Sequence, residues 1–218
     1  METEVYVTAK LMLDTSVENF DLFMLYADLA QAQTITLPAG YSYRYFDCSA
    51  EDIKSWVNII VSSGGLANEK VGFEYFDNYY RAHIATLARR CFFILNSKDQ
   101  PVGTATGFFI VDPQLQLPAE VTGHLSWVAI RKKYQGLGLS KPLISHAMKI
   151  MHEQGHQAAF LHTQTPSWLA AKVCLDLGWK AFRYTSSQEN FTAAWQIVEG
   201  KIAFLSRSQN VEHASPMD

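Results

Sequence analysis

Two periodicities of hydrophobic and polar residues run along this chain, and each predicts a different kind of element. Apolar and polar residues alternate over residues 41–46, which is the period of a strand. After Ser49, a capping residue with Asp52 three positions later, apolar residues recur every three or four positions over 53–60 and predict a helix with one buried face. Residues 72–90 carry aromatic residues at mixed spacing and predict a second helix with a ragged end.

The middle of the chain predicts strands. Residues 91–95 and 102–111 flank a polar turn at 96–100 and predict a hairpin. Residues 121–130 form another extended run. Strict alternation there predicts two sets of side chains on opposite faces of the sheet. One face carries Glu120, Thr122, His124, Ser126 and Val128, and the other carries Leu125, Trp127 and Ala129.

The last third predicts helices that alternate with short strands. Residues 143–155 form a helix with a proline at its first turn, residues 158–163 form a strand, and Thr165 caps a helix that ends at Gly178. A strand follows near Trp179, and a helix follows it. The whole order predicts an α/β (α+β layered) domain with the sheet in the middle.

The same pattern predicts an N-terminal extension, one main domain and a C-terminal tail. Residues 1–36 are expected to be an N-terminal extension, with a strand over 5–13 and a helix over 17–32. Residues 37–205 form the main domain, and 206–218 form a frayed polar tail.

Composition narrows the classes of function. Of the 218 residues, 48% are hydrophobic and 18% are charged, so the chain can bury a substantial core. The net charge is −3 and no basic stripe is present, which argues against non-specific nucleic-acid binding. No apolar run is long enough for a membrane helix and the first ten residues are polar, so a cytoplasmic protein without a membrane partner is expected. Three widely spaced cysteines, without a CxxC pair, predict neither a disulfide framework nor a metal site.

The segment richest in candidate chemistry joins the strand ending at Ile130 to the helix that follows. Gly136 and Gly138 lie in the connecting turn, so several backbone N–H groups near the helix start can converge on one point, as they do in phosphate sites. A glycine-rich turn without a ligand is the alternative. A dinucleotide fingerprint would need glycine where Lys141 stands, and a P-loop would need four residues between its glycines, so neither template fits.

A third template does fit. The run Gln135-Gly136-Leu137-Gly138-Leu139-Ser140 after this strand resembles the acyl-CoA-binding motif of the GNAT superfamily of N-acetyltransferases, with Ser140 in the last small-residue place. A helix that ends in Gly178-Trp179 resembles the second motif of that family. The resemblance covers about residues 38–184. It implies a mixed central sheet with two splayed parallel strands, helices on both faces, and acetyl-CoA as co-substrate without a metal.

The resemblance also implies which residues hold the cofactor. The glycine loop would bind the pyrophosphate, Lys141 would add a charge, and Ser167 would contact the cofactor at the start of a helix. The N–H of Val128 would polarise the thioester carbonyl. The full implied set is Val128, Ala129, Ile130, Gln135, Gly136, Leu137, Gly138, Leu139, Ser140, Lys141 and Ser167.

At the catalytic positions, this sequence departs from the residue types that the family usually carries. His124 stands where family members carry a glutamate base, and its ordinary pKa near 6.5 suits that role. Glu120 is a second candidate base that would act through water. Cys174 stands where many members carry a tyrosine acid, although a cysteine on a helix face is also expected to be simple packing. Tyr134 and Tyr184 are further candidates for the acid.

The sequence therefore predicts acyl transfer from acyl-CoA to a primary amine by direct attack in a ternary complex. The partner is a small-molecule or peptide amine, and small amines, amino acids, antibiotics and protein N-termini stay open, as does a homodimer. A CoA-binding sensor that has lost catalysis is the alternative, favoured by the missing tyrosine at Cys174. A module whose glycine turn binds nothing is a third interpretation.

Overall fold

A computed structural model describes residues 13–109, 117–184 and 190–212. The strands in these residues are β1 (Asp21–Tyr26), β2 (Ser42–Tyr45), β3 (Cys91–Leu95), β4 (Pro101–Phe109), β5 (Val121–Ile130), β6 (Ala158–Gln164) and β7 (Lys180–Ala181). They form one sheet in the order β2-β3-β4-β5-β6-β1-β7. Among these seven strands, β5 and β6 pair in parallel, and the other neighbours are antiparallel.

Helices cover both faces of this sheet, as the resemblance implies. The described helices are α1 (Ala50–Ser63), α2 (Glu69–Tyr79), α3 (Ile84–Leu87), α4 (Ser140–Glu153), α5 (Trp168–Asp176) and α6 (Phe191–Glu212). An aromatic-rich cluster lies between the sheet and α1 with α2, and a larger aliphatic cluster lies under α4, α5 and α6. The predicted layered α/β fold is confirmed.

The start of α1 shows how local sequence sets an element. Ser49 caps the helix by accepting a bond from the Asp52 N–H at 3.1 Å, as predicted. The Asp52 carboxylate does not complete a capping box. It accepts a bidentate pair from Arg44 on β2, at 2.6 and 2.9 Å, and so joins the helix to the sheet.

The helix predicted over residues 17–32 is wrong, because Asp21–Tyr26 is a strand. This strand lies between β6 and β7, inside the sheet. Leu22 and Met24 are fully buried on one face, while Phe23 and Leu25 pack on the other. A strand that is apolar on both faces has no period of two, and its spacing can coincide with that of a helix. Of the strand predicted over 5–13, all but the last residue lies outside the described residues.

The alternation predicted for β5 is also wrong beyond Ser126. Trp127 has φ of +48°, and the register with β4 shifts there, so the strand carries a bulge. Ser126 and Trp127 consequently both face the α1 and α2 side, and Val128 packs against the opposite cluster. One extra residue in a strand moves every later side chain to the other face.

The last helix continues beyond its predicted end. Residues 191–212 are one helix, so the tail predicted from 206 begins as its last turns. The sequence there has no glycine or proline that would stop a helix before Pro216. Residues 213–218 lie outside the described part of the chain.

Candidate active site

A gap opens in the sheet where β5 and β6 separate. Their parallel pairing ends at His124 and Phe160, although β5 continues to Ile130 and β6 to Gln164. The end of β5 instead follows β4, where Ala129 pairs with Thr104. The implied splayed parallel strands are therefore present. Val128 lies in the bulge and has no partner in the register with either neighbouring strand.

The predicted glycine loop connects the end of β5 to α4. Gly136 has φ of +77° and Gly138 has φ of +75°, a conformation that L side chains rarely adopt. A Cβ on Gly136 would meet no atom within 4 Å, so open space lies directly above this backbone. The loop is exposed at Leu137 and anchored by Leu139, which is almost fully buried.

The backbone amides of this loop are free to bind a ligand. Within the described residues, the N–H groups of residues 136–141 make no hydrogen bond to the protein. No side chain caps the start of α4, so its first amides also add the positive end of the helix dipole. Gln135 uses its side chain differently, since its Nε2 donates to the Ile130 carbonyl at 3.0 Å and closes the loop on the strand. These groups form a cradle for an anion.

Two other predicted cofactor residues border the loop and the gap. Lys141 forms an ion pair with Asp176 of α5 at 3.0 Å, so its charge is shared with a neighbouring helix. Ser167 is buried in a short 3-10 turn between β6 and α5. That turn is held by the N-terminal segment, because Phe20 and Thr165 exchange two hydrogen bonds, each of 2.9 Å.

His124 lies on β5 at the last paired position, on the side of the sheet that α1 and α2 occupy. Its half-buried ring lies 5.8 Å from that of Phe160. Burial, assisted by the charge of nearby His162, lowers the pKa of His124 to about 4. The imidazole is therefore neutral at neutral pH.

The other two predicted catalytic residues lie apart from His124. Glu120 is exposed in the turn that precedes β5. Cys174 is buried among α4, α5 and α6 on the opposite face of the sheet, and burial raises the pKa of its thiol to about 12. The structure does not bring these three side chains together, and their catalytic roles stay predictions.

The two tyrosines considered as substitute acids lie in different surroundings. Tyr134 is turned toward the β3–β4 hairpin, where its OH accepts a bond from Asn96 Nδ2 at 2.9 Å. It lines a polar depression of about 400 Å³ together with Lys98 and Lys133, on the side of the loop away from β6. Tyr184 packs against Phe23, with ring centroids 5.0 Å apart.

The structure reveals a polar pair that the sequence pattern did not predict. Asp21 of β1 and His162 of β6 lie 2.9 Å apart, between Oδ1 and Nε2. The two residues are 141 positions apart in sequence. In the sequence, His162 is indicated only as a residue two positions after Phe160 in a predicted strand. No local pattern indicates Asp21 as its partner.

Metal sites and membrane-spanning helices are two further features that would bear on function. Among the described residues, no three His, Cys, Asp or Glu side chains are grouped in a way that could hold a metal ion. None of the helices in these residues combines the length and the apolar character that a membrane crossing requires.

Three of the solved structures that share this fold match the chain at low sequence identity. The chain matches a GCN5-related N-acetyltransferase from Sphaerobacter thermophilus at a TM-score of 0.57 and 16% identity, over 75% of this chain and 48% of the other. It matches a GNAT-family acetyltransferase from Colwellia psychrerythraea at 0.55 and 14%, over 76% and 54%. It also matches the NatC complex bound to Gag peptide and CoA, at 0.50 and 18%, over 66% and 86%.

The chain spans about half the length of the first two of these proteins. No curated protein matches it. The sequence profile of the Acetyltransferase (GNAT) family matches residues 53–179, which is more than half of the chain and includes the glycine loop and the gap. This chain therefore belongs to the GNAT acetyltransferase family.

Proposed function

We propose that this protein transfers an acetyl or other acyl group from acyl-CoA to a primary amine, by direct attack in a ternary complex. The family supports acyl transfer from acyl-CoA. The amine acceptor and the direct attack are the proposal. The predicted cytoplasmic location and homodimer stay predictions.

The observation that carries the proposal is the row of free amides at residues 136–141, next to the gap between β5 and β6. A pyrophosphate fits this cradle because its oxygens accept several N–H bonds and favour the positive end of α4. The pantetheine arm is linear and carries amides, so it can lie in the gap and bond strand groups that have lost their partners. The bound CoA in the NatC structure agrees with this ligand class.

Val128 supplies the group nearest the proposed chemistry. Its amide lies in the bulge, outside the ladder with β4, at the edge of the gap. We expect its N–H to bond the thioester oxygen, which becomes negatively charged as the amine attacks the carbonyl carbon. The C–N bond forms, the C–S bond breaks, and CoA leaves as the thiolate.

A matched pair of glycine substitutions tests the cradle. Gly136→Ala places a Cβ in the open space above the loop, whereas Gly155→Ala does the same at the far end of α4, where φ is +88° and nothing lies within 4 Å. Both changes impose the same left-handed strain, so we expect similar losses of thermal stability. Only Gly136→Ala should weaken acetyl-CoA binding, by about tenfold or more in titration calorimetry, since one lost charge-assisted contact is worth about 1.5–3 kcal/mol. Equal affinities of the two variants for acetyl-CoA would contradict the proposal that this loop binds the pyrophosphate.

A panel of primary amines, read by free-thiol detection, tests the transfer itself. Release of CoA that depends on one class of amine identifies the acceptor. Acetyl-CoA binding without thiol release from any amine would instead indicate the sensor. Acetyl-CoA that fails to raise the melting temperature at millimolar concentration would indicate that the loop binds nothing.

A further inference from the structure

The two faces of the sheet differ at the level of the gap between β5 and β6. On the α4 side, Val128 packs against an aliphatic cluster in which Leu125 and Leu161 are each 5% exposed. On the α1 and α2 side, the strand carries Ser126, which is partly exposed. We therefore expect a polar acceptor to approach the proposed thioester from the α1 and α2 side, because packed apolar side chains close the other face.

Ser126 lies on β5 between the paired part of the strand and the bulge. It comes two residues after His124, the last residue of β5 that pairs with β6, and two residues before Val128. A strand rises by about 3.3 Å per residue, so the Cα atoms of Ser126 and Val128 lie about 7 Å apart or less. A nitrogen that attacks a thioester bound to the Val128 N–H is therefore expected within reach of the Ser126 hydroxyl.

A buried tyrosine holds the Ser126 hydroxyl in place. The Tyr80 OH and Ser126 Oγ lie 2.9 Å apart, between residues that are 46 positions apart in sequence. Tyr80 is 3% exposed, and its ring packs edge to face with Trp56 and Phe108, at centroid distances of 5.5 and 5.2 Å. Burial raises the pKa of Tyr80 well above the ordinary 10, so its OH keeps the proton. This packing limits the directions in which the Ser126 hydroxyl can point.

The Ser126 oxygen keeps a lone pair for a ligand. A serine hydroxyl has one donor and two acceptor sites, and in the described residues its hydrogen-bond partner is Tyr80. Whichever of the two hydroxyls donates, at least one lone pair of the Ser126 oxygen stays unused. It can accept an N–H of an amine. Because the nitrogen becomes positively charged as it attacks the carbonyl carbon, this N–H···O bond becomes charge-assisted in the transition state.

We infer that Ser126 is a catalytic residue that accepts a hydrogen bond from the acceptor nitrogen and directs its lone pair at the thioester carbon, and that Tyr80 is the residue that positions the Ser126 hydroxyl. The inference rests on the proposed function. It adds no covalent step, since the C–N bond still forms and the C–S bond still breaks as proposed above. Neither residue is among the site residues that the sequence predicts.

A double-mutant cycle tests this pair. Ser126→Ala removes the serine hydroxyl, Tyr80→Phe removes the tyrosine oxygen and keeps the ring, and a third variant combines them. Ser63→Ala is the control, because it removes a buried hydroxyl that donates to the Ile60 carbonyl at 2.8 Å, at the last residue of α1. The measurements are kcat/KM for an amine that the wild type acylates, acetyl-CoA affinity and melting temperature.

We expect Ser126→Ala to lower kcat/KM by about 10–100-fold, because a charge-assisted bond in the transition state is lost. Tyr80→Phe should lower it by about three- to tenfold, as for a neutral hydrogen bond. In the Ser126→Ala background, Tyr80→Phe should cause no further loss, because Tyr80 acts through the Ser126 hydroxyl. Acetyl-CoA affinity and the activity of Ser63→Ala should stay as in the wild type.

The isosteric variants Ser126→Thr and Ser126→Val separate the hydroxyl from the size of the side chain. Threonine keeps the oxygen and should retain most of kcat/KM, whereas valine should lose as much as alanine. Should Ser126→Ala fail to fold, this pair still decides, since its members differ only in the hydroxyl.

Three outcomes would overturn the inference while wild-type transfer is intact. These are an unchanged kcat/KM in Ser126→Ala, equal values for Ser126→Thr and Ser126→Val, or a Tyr80→Phe loss that is as large without the Ser126 hydroxyl as with it. A wild-type protein that neither binds acetyl-CoA nor releases thiol would instead contradict the proposed function.

Discussion

At the scale of single residues, three histidines make the stability of the folded protein depend on pH. His124, His146 and His156 each have a pKa lowered from the ordinary 6.5, in every case mainly because burial disfavours the charged ring. Arg90 adds to the effect at His156, whose Nε2 lies 2.8 Å from the guanidinium. The folded state therefore favours the neutral form of all three.

These lowered pKa values predict an acid-labile fold. The unfolded chain binds protons near pH 6.5 while the folded chain resists them, so this stabilisation is complete above about pH 6.5 and is lost as pH falls toward 4. His124→Gln should flatten the fall of the unfolding free energy between pH 7 and pH 4, by about 2 kcal/mol. Denaturant unfolding at several pH values measures it.

The control for this prediction is His152→Gln, which replaces an exposed histidine. In this variant the unfolding free energy should change with pH as it does in the wild type. A His124→Gln protein with the full wild-type slope would show that the ring is protonated in the folded state.

At the scale of elements, close packing between α1 and α2 depends on one glycine. A Cβ on Gly72 would lie 2.6 Å from Cγ1 of Val57, a fully buried β-branched residue with little freedom to move. Gly200, in α6, is the contrasting helical glycine, since a Cβ added there would meet no atom within 4 Å.

The two glycines should respond to alanine with opposite signs. Gly200→Ala should stabilise the protein by about 0.5–1 kcal/mol, because alanine is the better helix former. Gly72→Ala should destabilise it by about 1 kcal/mol or more, since overpacking outweighs the same gain. Adding Val57→Ala should recover much of that loss in a double-mutant cycle of unfolding free energies. Stabilisation by Gly72→Ala alone would show that the helices move apart at little cost.

At the scale of the whole molecule, the N-terminal segment is part of the domain's sheet and not an appendage to it. Asp14 pairs with Lys201 of α6 at 2.6 Å and accepts a bond from the Trp168 indole at 3.2 Å. The Lys201 ammonium holds the pKa of Asp14 well below its usual range. Residues 14–26 therefore connect β6, α5 and α6.

A chain that begins at residue 37, the predicted start of the main domain, should not fold stably. It would lose the fully buried Leu22 and Met24 and leave β6 without its antiparallel neighbour. Two buried side chains of this size are worth about 4–10 kcal/mol, which is comparable to the stability of a whole domain. Circular dichroism and thermal melting against a chain that begins at residue 13 measure the loss. Equal melting temperatures would restore the predicted boundary at residue 36.

Much of this molecule follows from local sequence alone. The cap at Ser49, the hairpin of β3 and β4, and the glycine turn before α4 depend on residues close together in the chain, so their patterns predict them. The amides of the glycine loop are left without protein partners by the same local turn, which is why their convergence could be predicted from the glycines.

Only the tertiary structure decided the remaining features. The place of β1 in the sheet, the bulge at Trp127 and the pair of Asp21 with His162 depend on which strands become neighbours. Strand pairing joins residues far apart in the chain, and a strand buried on both faces carries no periodic trace of its partners. The sequence therefore determined the glycine turn and its unbonded amides, while the pairing of distant strands decided which side chains lie beside the gap between β5 and β6.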